Sequence, residues 1–376
     1  MPKKSPSLEK KINNLIYNRD LQNFEPIVFD LNISTHEEKI SKLIERKEII
    51  EIVDDFSVQQ EELALIKNPT LLSNQEKLKK ILLSFKGLDI NHGKWVFYPW
   101  RRTLVHLLDS RDFQRVKTSR NLNLILPQEQ QKFEKAKIGI AGLNVGNPAA
   151  ICLALEGVGE IKLADIDPLS LSNLNRFRAG VCDLGLNKVT LSARQIKEIN
   201  PFSKLSVFFN GIVAGRTEEF LLNPKIDVLV EEMDNLRLKL EIREKARKNR
   251  IPVVMVTGNG PNVIIDIERF DKNPNLKFLS GYLKEDYLKR LKTLDLSKLK
   301  VNQKVLLARD FMGARYLTKR LQDSFLLVGS KLAGIPQLAE SSFLRGAAVC
   351  YFVRQIVLGK NVPSGRYNLN LEDILK

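Results

Sequence analysis

The chain has 376 residues, of which 43% are hydrophobic and 28% charged, and its formal net charge is +16. This composition is typical of a globular protein of two or three domains, and it excludes a disordered or collagen-like chain. Three cysteines are too few for a disulfide framework or a four-cysteine zinc site, and three histidines argue against chemistry with several histidine ligands. No apolar run reaches the length of a membrane span, and the first residues lack the apolar stretch of a secretory signal. We therefore expect a soluble, cytoplasmic protein.

Residues 1–115 are predicted to form an N-terminal α+β accessory domain. The segment 48–56 is typical of a strand that runs into a turn, and 61–69 is typical of a helix that ends at a proline. Both tryptophans, Trp95 and Trp100, follow in an aromatic cluster. We interpret this cluster as a packing anchor between two domains, with a platform for a substrate or partner as the alternative.

Strands and helices alternate over residues 116–271, which are predicted to form one domain. The glycine turn and the motif described below predict that this domain binds a nucleotide. Such alternation indicates an α/β, Rossmann-like fold with a mostly parallel sheet and helices on both faces. The predicted strands cover residues 137–142, 160–167, 204–211, 225–235, 251–258 and 261–271. The predicted helices cover residues 147–157, 186–201, 218–223 and 235–250.

Residues 272–376 are predicted to be a C-terminal helical and loop region that completes the fold. Small and apolar residues at helical spacing over 333–360 predict a buried helix, and the last residues are expected to be a tail. Residues 271–376 also hold 19 basic and nine acidic side chains, which is most of the excess charge. A basic surface attracts polyanions, but no nucleic-acid-binding motif accompanies it. A solvated face is therefore the favoured interpretation, with nucleic acid possible as a partner.

A turn between the first predicted strand of this domain and its first helix carries two glycines, Gly142 and Gly146. Asn144 stands where the second glycine of G-x-G-x-x-G would be. Backbone N–H groups and the helix dipole make such a turn a place for phosphate. Asp165 ends the next predicted strand, where an acid usually binds the ribose hydroxyls. These features allow either a nicotinamide dehydrogenase or an ATP enzyme.

The segment that follows favours the ATP enzyme. It reads DIDPLSLSNLNR over residues 165–176 and GLNK over 185–188, and an Asp-Asn pair follows at 234–235. This run resembles the D-x-D-x-x-x-x-S-N-L-N-R … G-x-x-K signature of the ThiF/MoeB/ubiquitin-activating (E1-like) adenylyltransferase superfamily. The resemblance covers about residues 120–271 and indicates a bacterial ThiF-type member with an extra N-terminal domain.

The resemblance also implies roles for individual side chains. Arg176 and Lys188 would hold the triphosphate, Asp165 would bind the ribose, and Asn173 would orient the phosphates. Asp234 would hold Mg²⁺, which prefers one or two carboxylates together with phosphate oxygens. The glycine turn would lie beneath the adenosine or the α-phosphate. Two anions must meet in an adenylation, so cationic side chains are required there.

The chain departs from the family's pattern in its cysteines. It lacks the two C-x-x-C pairs of the zinc-binding members, so ATP and Mg²⁺ are expected but zinc is not. No cysteine lies between residues 183 and 349, where many members carry a cysteine that forms a thioester. We interpret Cys152 and Cys350 as small core residues and Cys182 as a half-buried loop thiol. Transfer through a protein thioester is therefore not expected.

The family often supplies an arginine from a partner subunit, in an R-x-x-R step before the first strand. The nearest match here is Arg120-Asn-Leu-Asn123, which keeps one of the two arginines, so Arg120 is a candidate. Members are usually dimers, and the resemblance therefore implies a homodimer.

The implied function is ATP-dependent activation of a carboxylate as an acyl-adenylate, with release of pyrophosphate. The carboxylate would belong to the C-terminus of a small ubiquitin-like or sulfur-carrier protein or peptide, or to a small molecule or nucleoside. Two alternatives stay open. One is an NAD-dependent oxidoreductase on the same sheet, and the other is a nucleotide-binding scaffold without enzymatic activity.

Overall fold

The computed structural model describes residues 7–10, 12, 22–85 and 90–375. The chain divides into two compact units, Met1–Asp109 and Ser110–Lys376. The domain boundaries expected at 115 and 271 stay predictions. Within the described residues, none of the helices is both long and apolar enough to span a membrane.

The N-terminal unit contains a four-stranded sheet in the order β1-β3-β4-β2, in which only the β2–β4 pair is parallel. The predicted strand over 48–56 is shorter in the structure, and the helix predicted over 61–69 begins earlier, at Phe56. The strands are β1 (Ile27–Phe29), β2 (Glu51–Asp54), β3 (Lys94–Tyr98) and β4 (Thr103–Leu107). The helices are α1 (Ser34–Glu45), α2 (Phe56–Lys67) and α3 (Gln75–Phe85).

Trp95 lies in the core of this unit. Its ring stacks on His106 at a centroid distance of 4.2 Å, and Phe56 stacks on the other side of His106 at 4.1 Å. The indole N–H donates to the carbonyl oxygen of Ile90 at 2.9 Å. Trp95 therefore holds the N-terminal sheet together from within.

The larger unit is built on a seven-stranded sheet in the order β11-β10-β9-β8-β5-β6-β7. Five strands, β9, β8, β5, β6 and β7, are parallel to one another. Strand β10 pairs antiparallel with both β9 and β11. The predicted α/β fold with a mostly parallel sheet is thus confirmed. The strands are β5 (Lys137–Ala141), β6 (Glu160–Ala164), β7 (Lys204–Phe208), β8 (Val228–Glu231), β9 (Val253–Asn259), β10 (Asn262–Glu268) and β11 (Gly365–Leu369).

Helices pack on both sides of this sheet, as predicted. They are α4 (Ser110–Lys117), α5 (Pro127–Lys135), α6 (Asn147–Glu156), α7 (Lys188–Ile199), α8 (Thr217–Leu222), α9 (Leu236–Lys248), α10 (Glu285–Thr293), α11 (Val301–Met312), α12 (Lys319–Leu327) and α13 (Ala339–Val357). Helix α13 starts six residues later than the predicted helix over 333–360. Its start falls after Pro336, whose ring disfavours the helical conformation of the residue before it.

The expectation of a C-terminal tail was wrong. Residues Gly365–Leu369 form the edge strand β11, which pairs antiparallel with β10. Arg366 fixes this strand because its Nε and Nη2 donate to the two carboxylate oxygens of Asp266, both at 2.7 Å. The pair is almost fully buried, with the Arg366 side chain 6% exposed.

Two predicted strands end earlier than their apolar patterns suggest. Strand β6 ends at Ala164, and β8 ends at Glu231. The next residues, Asp165 and Glu232, leave the sheet and accept hydrogen bonds from backbone N–H groups. The carboxyl edge of the parallel strands is therefore lined with acidic side chains at the point where α/β folds place their ligands.

Candidate nucleotide-binding site

The turn between β5 and α6 requires both of its glycines. Gly142 has a φ of +89°, and a Cβ there would lie 2.5 Å from the carbonyl oxygen of Glu232. At Gly146 a Cβ would lie 2.2 Å from the carbonyl oxygen of Gly142. The turn is therefore too tight for side chains at either position. It leads directly into the N-terminus of α6, where the helix dipole favours an anion.

Asp165 fastens this turn. Its Oδ2 accepts from the N–H of Leu143 at 2.6 Å, and its Oδ1 accepts from the N–H of Asp167 at 2.8 Å. Burial raises the pKa of the Asp165 carboxyl, and these two backbone hydrogen bonds oppose the rise. The carboxylate links the ends of β5 and β6 and keeps the loop after β6 in place.

A cavity of about 320 Å³ opens beside this carboxylate, at the carboxyl ends of β5, β6 and β8. Pockets for small molecules begin at roughly this size. We call it the nucleotide cavity. The residues lining it include Gly142, Asn144, Asp165, Asp167, Asn210, Gly211, Glu232, Asp234 and Asn235. The structure therefore brings together Gly142, Asn144, Asp165 and Asp234 of the predicted site.

A second cavity adjoins the first one. Both are lined by Asn144, Glu232, Met233 and Asp234. We call the second one the Arg345 cavity, after the arginine in its wall. Its other lining residues include Thr257, Gly258, Phe311, Met312, Ile335, Pro336, Gln337, Ser341 and Arg345. A ligand in the nucleotide cavity and another in the Arg345 cavity would thus meet next to Asp234.

Asn144 takes the place of a glycine in the turn and projects to both cavities. Its Oδ1 is buried and has no hydrogen-bond partner within the described part of the chain. A buried polar atom without a partner is rare in native proteins and calls for an explanation such as a missing ligand. The amide is available to a bound group at the junction of the two cavities.

Arg176 lies just outside the cavities. Its Nη1 donates to the carbonyl oxygen of Ser172 and to Oδ1 of Asn175, both at 2.8 Å. Its Nε is buried without a hydrogen-bond partner among the described residues. Burial lowers the pKa of the guanidinium, and the charge of Asp234 opposes this shift. The positive charge of Arg176 therefore interacts with the negative charge of Asp234, although Arg176 lines neither cavity.

Lys188 is the first residue of α7, and its side chain is 4% exposed. Its ammonium contacts Oδ2 of Asp167 at 3.2 Å. Asp167 in turn lines the nucleotide cavity. Lys188 thus contacts the cavity wall through Asp167, to which the resemblance assigns no role.

Two predicted residues stand apart from the cavities. Asn173 is buried, and its Oδ1 accepts from the N–H of Ser170 at 3.1 Å, so it closes its own loop. Arg120 is exposed in the short turn Ser119–Asn121. Neither side chain is among the residues that line the two cavities. Their contact with a nucleotide stays a prediction.

Sequence reasoning missed Arg345 and Glu232. Arg345 lies on α13 and is only 5% exposed. Glu232 is 8% exposed, and its Oε1 accepts from the N–H of Val256 at 2.8 Å. Burial raises the pKa of Glu232 to about 7, and Arg345 partly opposes the rise. The sequence feature that could have identified Arg345 is its position as a basic residue among small and apolar ones, in a helix predicted to be buried.

Asp234 fits a magnesium ion that is shared with phosphates. Its side chain is exposed at the junction of the two cavities. Across the described ranges, no group of three or more His, Cys, Asp or Glu side chains is placed to hold a metal. Mg²⁺ usually takes one or two carboxylates and fills its other positions with phosphate oxygens and water. The donor set therefore suits a metal that arrives with a nucleotide.

The structure is a Rossmann-like α/β fold with two adjoining cavities at the carboxyl edge of its parallel strands. Residues 118–262 match the family model described as the ThiF family. The match covers less than half of the chain and confirms the resemblance to this family that was drawn from the motif.

Several curated proteins are similar to this chain. Protein MT1398 of Mycobacterium tuberculosis (strain CDC 1551 / Oshkosh) is 35% identical over 75% of this chain and 38% of its own length. The tRNA threonylcarbamoyladenosine dehydratase of Escherichia coli is 28% identical over 42% of this chain and 61% of its own. The sulfur carrier protein ThiS adenylyltransferase of Escherichia coli is 28% identical over 41% of this chain and 61% of its own. The chain thus spans less than two thirds of these relatives.

Among solved structures, that of Escherichia coli tRNA N6-threonylcarbamoyladenosine dehydratase is 21% identical to this chain. The match covers 65% of this chain and 95% of the other one, with a TM-score of 0.47.

Proposed function

We propose that the chain is an ATP-dependent adenylyltransferase that activates a carboxylate. The observation that carries this proposal is the meeting of the nucleotide cavity and the Arg345 cavity at Asp234. One cavity has the glycine turn and the acid that suit a nucleotide, and the other has a buried cation that suits an anion. Two substrates must meet in an adenylation, and this geometry places two cavities side by side.

In the reaction, a carboxylate oxygen attacks the α-phosphorus of ATP. A new O–P bond forms, the bond from the α-phosphorus to the bridging oxygen breaks, and pyrophosphate leaves with the electron pair. Asp165 would bind the ribose, and the glycine turn would lie beneath the adenosine or the α-phosphate. Arg176 and Lys188 would stabilise the negative charge that develops on them. Bound Mg²⁺ at Asp234 would neutralise further phosphate charge.

Lys188 has to change partner for this role. In the structure its ammonium is 3.2 Å from Asp167, whose carboxylate is largely exposed. Because the Asp167 carboxylate is largely exposed, water can replace the ammonium as its partner. A triphosphate, with several negative charges, would compete for the ammonium and leave Asp167 in water.

The relatives support a carboxylate substrate without identifying it. One relative is named an adenylyltransferase of a sulfur carrier protein, and another a dehydratase of a modified tRNA nucleoside. The carboxylate here would belong to the C-terminus of a small ubiquitin-like carrier protein or peptide, or to a small molecule or nucleoside. A homodimer in the cytoplasm belongs to the same proposal, and light scattering and cell fractionation test these two points.

A thioester step on this chain is not part of the proposal. Cys350 is buried, as predicted, but Cys152 is only half-buried. Cys182 was predicted to be half-buried and is exposed, because its short helical turn Val181–Asp183 lies on the surface. None of these three thiols lines either cavity. The adenylate would therefore pass directly to its acceptor.

Carboxylate-dependent exchange of pyrophosphate into ATP tests the proposal. We expect exchange by the wild type, and its loss in Asp234→Ala, Arg176→Ala and Lys188→Ala. Arg309→Ala is the matched control, because Arg309 pairs with Asp310 outside both cavities. Exchange at the wild-type rate in all three variants would defeat the assignment. Binding of NAD without ATP would favour the oxidoreductase, and ATP binding without exchange would favour the scaffold.

A further inference from the structure

The guanidinium of Arg345 is buried, and its hydrogen bonds within the described part of the chain are few and long. Its Nε donates to the carbonyl oxygen of Ser341 at 3.3 Å, and its Nη2 donates to Oε1 of Gln337 at 3.4 Å. Both hydrogen bonds are long for N–H···O, which usually measures about 2.9 Å. Of the five N–H donors of an arginine, most are therefore left for another partner.

No carboxylate in the described part of the chain forms an ion pair with Arg345 within 4.0 Å. Glu232 and Asp234 influence it only at longer range, and Arg176 repels it. A buried cation without a close counter-ion is costly unless a ligand supplies one.

The helix that carries Arg345 is held in place, and the guanidinium has room beside the sheet. A Cβ on Gly258, at the end of β9, would lie 3.4 Å from the Arg345 Cζ. Gly258 therefore leaves the guanidinium room beside the backbone of the sheet. Oγ of Ser342, on the same helix, donates to the carbonyl oxygen of Arg176 at 2.9 Å, which ties α13 to the motif loop. The arginine is thus presented to the cavity by a rigid helix.

The rest of the cavity wall is largely apolar. Phe311 and Met312 of α11 contribute to it, together with Ile335 and Pro336 of the segment before α13. An apolar wall suits the uncharged body of a ligand and does not suit a second or third phosphate. Two described cations line this cavity, Lys239 and Arg345. Lys239 is already paired with the buried Glu231 at 3.0 Å, so Arg345 is left to bind one negative group.

We propose that Arg345 binds the carboxylate of the substrate, and that the substrate is a monocarboxylate on an uncharged, peptide-like or acyl body. This proposal rests on the proposed function, because it assigns the carboxylate partner of the same reaction. The guanidinium is a planar fork that matches both oxygens of a carboxylate. It holds the carboxylate next to Asp234, where the nucleotide cavity begins. Arg345 is a substrate-binding residue in this scheme.

Ligand-observed NMR on the full chain tests the proposal with N-acetylglycine and its neutral isostere N-acetylglycinamide. We expect the wild type to bind the acid and not the amide. Arg345→Gln should weaken binding of the acid at least tenfold, and Arg345→Lys, which keeps the charge but not the fork, should fall between. Arg354→Gln is the matched control on the same helix, since Arg354 pairs with Glu156 outside the cavity, and it should bind like the wild type.

Binding of AMP and of pyrophosphate is measured on the same samples. AMP should bind all four proteins alike, which also shows that Arg345→Gln is folded. Equal binding of acid and amide by the wild type, or binding of neither, would overturn the proposal. So would an Arg345→Gln protein that keeps the acid and loses pyrophosphate, because the arginine would then serve the nucleotide. Acid binding through Arg345 by a wild type that binds neither AMP nor pyrophosphate would leave this site standing and refute the proposed adenylyltransferase.

Discussion

Gly346 of α13 lies directly against Pro148 of α6. A Cβ on Gly346 would lie 2.7 Å from both the carbonyl carbon and the Cβ of Pro148. Two turns further along both helices, Arg354 Nε donates to Glu156 Oε2 at 2.9 Å. The two helices therefore run side by side in one register. This register places Arg345, the neighbour of Gly346, beside the helix that begins at the glycine turn.

Replacement of Gly346 by alanine should destabilise the chain, because neither helix backbone can move aside without shifting the other. We expect a loss of about 1–3 kcal/mol, the usual range for an overpacked core position. Urea unfolding measures it. Gly334→Ala is the control, since a Cβ there meets nothing within 4 Å. Equal stability of Gly346→Ala and the wild type would mean that the helices are less closely packed than the structure shows.

The part of the site that lies close together in the sequence could be predicted, and the part that depends on packing could not. Gly142 and Asp165 belong to consecutive strand–helix units, and the short spacing of the motif already places them at one sheet edge. Arg345 reaches the same edge only because α13 packs on α6, through a contact between distant parts of the chain. No local pattern in the sequence carries that contact.

The strands of the sheet divide in the same way, into those that local sequence patterns predict and one that depends on pairing with a distant part of the chain. The apolar strands β5, β6, β8 and β9 were found from their sequences because both faces of a parallel strand are buried. Strand β11 was missed because its residues, GRYNL, are half-buried or exposed and hold no apolar run. Its place is decided by pairing with β10 and by the ion pair between Arg366 and Asp266, neither of which is visible locally.

Arg243 should be indispensable for folding. It is fully buried between two buried acids, Glu231 and Glu268, and its Nε donates to Glu268 at 2.8 Å. Arg243→Met would remove a positive charge that neutralises two buried carboxylates in the core. We therefore expect the free energy of unfolding to fall by about 3–5 kcal/mol. Guanidinium chloride unfolding measures it.

An exposed arginine provides the comparison for Arg243. Arg216 pairs with Glu219 at 2.8 Å on the surface, where both side chains are largely in water. Arg216→Met should change the free energy of unfolding by no more than about 0.5 kcal/mol. If the two methionine variants were equally stable, the buried network would not contribute to folding as described.

Glu232 should make the folding stability depend on pH. Its pKa is raised by burial from the ordinary 4.5 to about 7, so the unfolded chain releases this proton at a lower pH than the folded chain. The contribution of Glu232 to stability is therefore present below about pH 4.5 and is lost as the pH rises to about 7. The loss is at most about 3.5 kcal/mol, since one pKa unit corresponds to about 1.4 kcal/mol.

Glu232→Gln tests this pH dependence. The amide oxygen still accepts from the N–H of Val256, but the side chain no longer ionises. The variant should therefore be more stable than the wild type near pH 8 and similar to it near pH 4, as measured by urea unfolding at each pH. A constant difference between the two proteins across this range would show that Glu232 ionises in the folded state as it does in the unfolded one.

Arg366 should hold the edge strand β11 in place through its shape as well as its charge. The Nη1 donates to the carbonyl oxygen of Met312 at 2.6 Å, while the other two nitrogens bind Asp266. Its Cζ lies 3.5 Å from the centre of the Tyr282 ring. Lysine cannot make this set of contacts, because its ammonium is a point charge on a flexible stem.

We therefore expect Arg366→Lys to destabilise the chain by about 1–3 kcal/mol, the cost of leaving buried acceptors poorly satisfied. Hydrogen exchange should locate the effect. Relative to the wild type, exchange of the β11 amides that pair with β10 should accelerate more than exchange of the β5 amides. Arg309→Lys, in a more exposed pair with Asp310, is the control. If exchange rose equally in β5 and β11, Arg366 would be supporting the whole unit. A local rise in β11 alone would show that the C-terminal strand depends on this single buried guanidinium for its place at the sheet edge.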